Sequence, residues 1–144
     1  MNLNALPCLF RKINQLVNPT RINDHLISEA AINVVSQLQS NNYEAYIVGG
    51  AIRDILLNYP PKDFDIATNA KPEEVRKIFK HSRIIGRRFK LVHVINKREV
   101  IEVSTFRTAP LEKIHMKNGI LKDNEYGSMD EDIKRRDFTI NALY

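Results

Sequence analysis

Helix-like and strand-like segments alternate between residues 24 and 106, and this order narrows the choice of fold. From Leu26 to Leu38 apolar residues recur at steps of four, which predicts a helix that Asn23 or Asp24 caps. The β-branched and aromatic content typical of strands occurs in residues 43–48, 63–68, 89–96 and 98–106. A short polar turn separates the last two strands, so they predict an antiparallel hairpin. Strands that alternate with helices indicate an α/β or α+β domain with a mixed sheet.

Two further helices and a long loop complete the predicted domain. Residues 51–58 predict a short helix with Ile52, Ile55 and Leu56 on one side. Residues 72–80 predict another, because a proline followed by acids favours a helix start. Residues 107–130 have the polar, irregular composition of a surface loop, and a helix-like pattern follows from residue 130 or 137. Residues 1–22 show no clear period, so we interpret them as an N-terminal arm before a single domain at 23–144.

Composition excludes several classes of protein. The chain has 144 residues, of which 43% are hydrophobic, so it is neither disordered nor membrane-spanning. Its N-terminus lacks the pattern of a secretory signal, and one cysteine, Cys8, forbids an internal disulfide. Both features favour the cytoplasm. The net charge of +5 favours polyanionic partners such as RNA, although many proteins are mildly basic.

Two aspartates, Asp63 and Asp65, interrupt an otherwise apolar strand-like run. Because side chains alternate along a strand, both lie on one face and the residues between and after them point into the core. In the later strand, Ile101 and Val103 share one face and Glu102 takes the other. Glu102 can therefore join the two aspartates if the two strands are adjacent. Three carboxylates suit a hard divalent cation and phosphoryl transfer. The alternative is a solvated strand edge for the pair and an exposed strand position for Glu102.

A glycine pair, Gly49-Gly50, separates a predicted strand from a predicted helix. Glycine lets the backbone approach a ligand, and a helix start offers N–H groups to an anion. Arg53 lies in the first helical turn, where it can bind a phosphate oxygen. Neither a dinucleotide-binding fingerprint nor a P-loop follows. A plain tight turn, with Arg53 in a surface pair with Asp54, is the alternative.

Four motifs in order, VGGAIRD, DFDIAT, EVSTFR and RRDFTINAL, make the chain resemble the class II nucleotidyltransferase family of bacterial poly(A) polymerases and tRNA CCA-adding enzymes. The resemblance covers roughly residues 24–144 and implies a polymerase β-like head domain with a mixed, roughly five-stranded sheet flanked by helices. It implies Mg²⁺ or Mn²⁺ ligation by Asp63, Asp65 and Glu102, and it makes Asp137 a further candidate catalytic carboxylate. It implies ATP as substrate and nucleotide binding by Gly49, Gly50, Arg53, Arg136 and Asn141. Tethering of the last helix to the sheet is the alternative role for Asn141.

Residues 84–95, IIGRRFKLVHVI, resemble the poly(A) polymerase branch through Gly86, Arg87, Arg88, Phe89 and His93. This branch implies addition of AMP to RNA 3′ ends, with mRNA or tRNA as partner. Positive charge makes three arginines candidate RNA or phosphate contacts: Arg87, Arg88 and Arg107. A basic loop before a strand with a packed histidine is the alternative interpretation of the stretch. CCA addition, or a nucleotide- or RNA-binding head without activity of its own, are the alternative functions.

Family members continue into neck, body and tail domains, whereas this sequence ends after the head motifs. We therefore expect residues 23–144 to be a head domain without those parts, and base choice to depend largely on residues elsewhere. Residues 131–135, EDIKR, resemble the element by which the family chooses ATP or CTP. Because they precede RRDFT directly, we interpret that likeness as coincidence.

Overall fold

A computed structural model of the protein describes residues 23–87, 89–96, 99–108, 116–117, 120–121 and 126–144. The predicted N-terminal arm with Cys8, the candidate RNA contact Arg88 and most of the turn between the last two strands lie outside the described residues. Among the described residues, no helix is both long and apolar enough to cross a membrane.

A five-stranded mixed sheet forms the centre of the fold, as predicted. Its strands are β1 (Ala45–Val48), β2 (Asp65–Thr68), β3 (Ser82–Ile85), β4 (Leu91–Asn96) and β5 (Glu99–Thr105). Their order across the sheet is β1-β2-β5-β4-β3. Strands β2 and β5 are parallel, and the other neighbouring pairs are antiparallel. β4 and β5 pair as the predicted hairpin.

Four α-helices accompany the sheet in the described part of the chain: α1 (Glu29–Ser40), α2 (Gly50–Leu56), α3 (Pro72–Ile78) and α4 (Met129–Lys134). Short 3-10 helices occur at Asp24–Leu26 and Thr139–Asn141. The proline at the start of α3 lies in its first turn beside two acids, where its missing N–H costs nothing and the acids complement the helix dipole.

The main core lies between one face of the sheet and the helices α1 and α3. Residues that alternate along the strands supply the sheet side, and Ile66, Val92, Ile101 and Val103 are at most 1% exposed. Leu38 of α1 and Val75 of α3 close the core from the helix side. This face is therefore filled, and function must lie on the other face or at the ends of the strands.

The opposite face is covered only in part. The C-terminal segment packs over its β1–β2 end, where Tyr144 and Phe106 meet Val48 and Ala67 in a second apolar cluster. Tyr46, Phe106 and Tyr144 lie with ring centroids 6.3 to 6.4 Å apart. Beyond this cover, side chains of β5 and β4 such as Val100, Glu102 and Ile95 are exposed.

Several helix boundaries differ from the predictions. Ser28, not Asn23 or Asp24, caps α1, and its Oγ accepts the Ala31 N–H at 3.2 Å, because residues 24–26 form a separate 3-10 turn. The buried side of α2 is formed by Ala51 and Ile55, whereas Ile52 and Leu56 are only half-buried. Helix α3 ends at Ile78, two residues earlier than expected.

The prediction of an irregular loop over residues 107–130 was wrong in its described parts. Two short antiparallel strands, β6 (Met116–Lys117) and β7 (Ile120–Leu121), lie within it, and Arg107 forms a β-bridge with Tyr126. The closing helix is also short: α4 begins at Met129 and ends at Lys134, and the chain then turns back towards the sheet.

Candidate active site

Asp65 and Glu102 are directly opposite each other on the parallel strands β2 and β5. Directly paired residues project on the same face of a sheet, and both of these side chains are exposed on the partly covered face. Asp63 is also exposed, but it precedes β2, which begins only at Asp65. Phe64 and Ile66 are buried on the core side, as alternation predicts. The expected adjacency of the two carboxylate-bearing strands is thus confirmed.

The electrostatic environment of Asp65 reflects the convergence of these negative charges. Partial burial raises the pKa of its carboxyl, and the charges of Glu102 and Asp63 raise it further. The guanidinium of Arg136 acts in the opposite direction and lowers that pKa. Asp65 therefore lies in a field that favours an added positive charge.

Carboxylate oxygens are the ligands that Mg²⁺ and Mn²⁺ prefer, so the chemistry of Asp63, Asp65 and Glu102 fits such an ion. The raised pKa of Asp65 fits it as well, because a cation would relieve the repulsion. The three carboxylates are not close enough together to form a complete metal site: within the described part of the chain, no three His, Cys, Asp or Glu side chains are grouped as metal ligands.

The glycine pair borders these carboxylates. Gly49 has φ +71°, a left-handed conformation that glycine adopts without strain. A Cβ atom at this position would lie 3.9 Å from Asp65 Oδ2 and 4.0 Å from Arg136 Nη1. The Gly49 N–H donates to the Leu143 carbonyl at 3.3 Å, so it is already engaged within the protein.

Arg53 and Asn141 meet beside Gly50. Arg53 forms an ion pair with Asp54 at 2.7 Å, and its Nη1 lies 3.5 Å from Asn141 Oδ1. Its side chain is still 38% exposed. The structure thus brings together three residues that the sequence assigned to nucleotide binding, and the surface pair offered as the alternative for Arg53 is present too.

Arg136 is held by a carboxylate that the sequence analysis did not select. The Asp132 side chain is 2% exposed and accepts Arg136 Nη2 at 3.1 Å, Arg135 Nε at 2.8 Å and the Arg107 backbone N–H at 3.0 Å. The Tyr144 hydroxyl donates to the same carboxylate. We call Asp132, Arg135, Arg136 and Tyr144 the Asp132 cluster.

The donors around Asp132 determine its protonation. Burial alone would raise the pKa of its carboxyl, but hydrogen bonds from Tyr144, Arg135 and the Arg107 N–H outweigh it and lower the pKa. Spacing could have revealed the cluster, because Asp132 lies three and four residues before two arginines in a helix-like segment.

Residues 45–144 match a family model described as Poly A polymerase head domain. The chain belongs to this poly(A) polymerase head family.

Relatives of this head domain include poly(A) polymerases and CCA-adding enzymes. Poly(A) polymerase I of Haemophilus influenzae is 50% identical over 81% of this chain and 28% of its own length. A CCA-adding enzyme of Streptococcus agalactiae is 37% identical over 99% of this chain and 31% of its own. The crystal structure of Bacillus stearothermophilus CCA-adding enzyme in complex with CTP has a TM-score of 0.63 and 41% identity, and the match covers 78% of this chain and 26% of that one. The chain thus spans less than a third of the length of these relatives.

The remaining predicted site residues of the poly(A) polymerase head differ in their exposure and contacts. Asp137 is exposed next to Arg136, and no described residue forms a hydrogen bond or ion pair with it. Arg87 is exposed, and the Arg107 guanidinium lies 4.8 Å from the centre of the Phe89 ring. His93, for which a packed strand histidine was the alternative interpretation, has its Nε2 3.3 Å from Glu102 Oε1.

Proposed function

We propose that the protein is a template-independent RNA nucleotidyltransferase that adds AMP from ATP to RNA 3′ ends, as in polyadenylation. The observation that carries this proposal is the pairing of Asp65 with Glu102 on parallel strands, with Asp63 two residues before. The 50% identity to poly(A) polymerase I supports adenylation in particular. Two features favour the cytoplasm as the place of action. One is the proposed activity on the 3′ ends of mRNA or tRNA, and the other is the single cysteine of this sequence.

In this reaction the RNA 3′ oxygen forms a bond to the α-phosphorus of ATP, the bond to pyrophosphate breaks, and the hydroxyl proton passes to a base or to water. Bound Mg²⁺ or Mn²⁺ would activate the attacking hydroxyl and neutralise charge on the leaving group. Asp63, Asp65 and Glu102 would hold the ions. Their exposure on an open sheet face leaves room for both substrates.

Nucleotide binding would use the neighbouring positive and small residues. Arg53 retains 38% exposure despite its ion pair with Asp54, so it can reach a phosphate. Arg136 borders the space that Gly49 leaves open beside Asp65. Gly50 and Asn141 adjoin Arg53, and we assign them to the same subsite. The exposed Asp137 remains a candidate for a direct role in catalysis.

CCA addition is the second candidate, favoured by 37% identity to a CCA-adding enzyme over almost the whole chain and by the fold of a CCA-adding enzyme solved with CTP. The complete gene product, incubated with a short RNA and each single NTP, distinguishes the two. Progressive AMP incorporation with ATP alone is the expected result. Equal CMP incorporation, or arrest after C-C-A, would contradict polyadenylation and support the alternative.

A third possibility is a head that binds nucleotide or RNA without activity of its own. Titration of Mg·ATP into the protein and into Asp63→Ala/Asp65→Ala tests it by calorimetry. Metal-dependent affinity that the double variant loses, together with incorporation, supports the enzyme. Binding without incorporation under all conditions would identify a binding module.

A further inference from the structure

The face of the sheet that carries the candidate active site continues past the carboxylates to the edge strand β3. Cross-strand register places four residues in one row across β2, β5, β4 and β3: Asp65, Glu102, His93 and Arg83. Neighbouring strands lie about 4.8 Å apart, so Arg83 is roughly 14 Å from Asp65 along this row. The row therefore leads from the carboxylates proposed to hold the metal to a basic side chain at the edge of the sheet.

An exposed apolar pair lies beside this row on the same face. Ile95 and Val100 are cross-strand partners, two residues along β4 and β5 from His93 and Glu102. They are 42% and 49% exposed. Exposed apolar side chains grouped on one face can contact a ligand, whereas single ones are common on any protein surface.

A basic cleft of about 440 Å³ ends this face at the β3 edge. Its described lining consists of Lys80, His81, Ser82, Arg83 and Ile95, and none of these is acidic. Lys80 and Arg83 are exposed, and neither forms an ion pair with a described residue. Two unpaired cations beside an apolar strip suit a chain that alternates phosphates with nucleobases.

We propose that this face is an RNA subsite, which holds the strand a few nucleotides before its 3′ end. Lys80 and Arg83 neutralise phosphates, and Ile95 and Val100 contact bases without reading their identity. The proposal rests on the proposed function, because the 3′ end is placed at Asp65 and Glu102. It predicts that the subsite binds single-stranded RNA of any sequence, in a salt-dependent way.

Fluorescence anisotropy with a 5′-fluorescein octaadenylate tests the subsite without catalysis. In Lys80→Gln/Arg83→Gln we expect affinity to fall on the order of tenfold at low salt, since two phosphate contacts are lost. The slope of log K against log salt should become shallower by about 1.4, since each contact to a single strand contributes about 0.7. The matched control, Lys77→Gln/Lys134→Gln, removes the same charge from exposed positions on α3 and α4. Equal losses in both variants would overturn the proposal.

Primer length gives a second test. In AMP incorporation, the loss of kcat/KM in Lys80→Gln/Arg83→Gln should grow as the primer is lengthened from two to eight nucleotides, while the KM for ATP changes little. A loss independent of primer length would overturn the subsite. If the unmodified protein incorporates no nucleotide, the proposed function fails, and the anisotropy measurement still decides the subsite.

Replacement of the apolar pair, Ile95 and Val100, tests whether this face binds RNA or a protein partner. Ile95→Ser/Val100→Ser should weaken octaadenylate binding while leaving the sedimentation behaviour of the protein unchanged. Unchanged RNA binding with an altered oligomeric state would show that another polypeptide covers this face, and would overturn the proposal.

Discussion

Arg136 donates through Nε and Nη2 to the buried carboxylate of Asp132, at 3.3 and 3.1 Å. Its Nη1 donates to the Asn141 carbonyl at 3.2 Å, and its Nε also donates to the Tyr144 hydroxyl oxygen at 3.0 Å. A guanidinium has five N–H donors, so these described contacts use three of them. Arg136 is thereby fixed beside Gly49 with N–H donors left over, and Asp132 orients a residue of the proposed nucleotide site.

Replacement of Asp132 by alanine should destabilise the protein by about 3 kcal/mol, because it leaves the half-buried guanidiniums of Arg135 and Arg136 without their shared acceptor. Urea unfolding followed by circular dichroism measures the change. Asp130→Ala, an exposed position in the first turn of the same helix, is the control and should stay within about 0.5 kcal/mol. Similar losses in the two variants would contradict the role given to Asp132.

The stability of the protein should also depend on Asp132 through pH. Its folded-state pKa is lowered from the ordinary value of 3.8, so its ionised form contributes stability above that value. This contribution is lost as pH falls through the folded-state pKa. In Asp132→Asn the decline of unfolding free energy below about pH 4 should therefore be shallower than in the unmodified protein. If the free energy of unfolding fell equally steeply below about pH 4 in both proteins, the contribution assigned to Asp132 would be contradicted.

Asp65 should show the reverse dependence, because its pKa is raised by burial and by the charges of Glu102 and Asp63. A raised folded-state pKa favours the folded protein at low pH, and that benefit is lost as pH rises through it. Asp65→Asn should thus raise Tm slightly at pH 7, and the gain should vanish below about pH 4, where the carboxylate is neutral anyway. The gain is small because solvent screens exposed charges. A lower Tm at pH 7 would identify Asp65 as a structural residue.

Sequence periodicity predicted which face carries the carboxylates of the candidate active site, because the direction of a strand side chain depends mainly on its immediate sequence neighbours. Alternation predicted Asp63 and Asp65 on one face, although β2 begins only at Asp65, and the apolar neighbours of Glu102 orient its side chain away from the core. Only the adjacency of β2 and β5 is nonlocal. The resemblance to class II nucleotidyltransferases implied a roughly five-stranded mixed sheet, which the structure confirms.

Spacing could indicate the pairing of Asp132 with the two arginines that follow it, but not the rest of the Asp132 cluster. Its partners include a backbone N–H of Arg107 and the hydroxyl of Tyr144, which meet only when the C-terminal segment packs over β1 and β2. The contact of His93 with Glu102 likewise depends on strand register. The cap of α1 was misplaced because a 3-10 turn before Ser28 continues the apolar spacing of the helix.

Gly86 should be intolerant of any side chain. Its φ is +87°, and a Cβ atom there would lie 1.9 Å from the Phe89 carbonyl oxygen, so the backbone must shift. We expect Gly86→Ala to cost more than about 1 kcal/mol, the usual penalty of a left-handed conformation alone. Gly50→Ala is the comparison, since the atoms nearest to its Cβ would belong to the flexible Arg53 side chain, the first of them at 3.4 Å. Chemical denaturation should show little loss of stability in Gly50→Ala. An equal loss in Gly50→Ala and Gly86→Ala would contradict the clash at Gly86.

The three carboxylates should be needed for turnover but not for folding, because all of them are exposed. Asp63→Asn, Asp65→Asn and Glu102→Gln should each lower AMP incorporation on the order of a thousandfold, since removal of a metal ligand forfeits several kcal/mol of transition-state stabilisation. Single-turnover incorporation measures the rate, and Tm checks the fold. Asp130→Asn removes an equivalent charge from α4 and should retain the rate of the unmodified protein. A variant at any of the three positions that unfolds, or that turns over at the unmodified rate, would remove that residue from the proposed metal site.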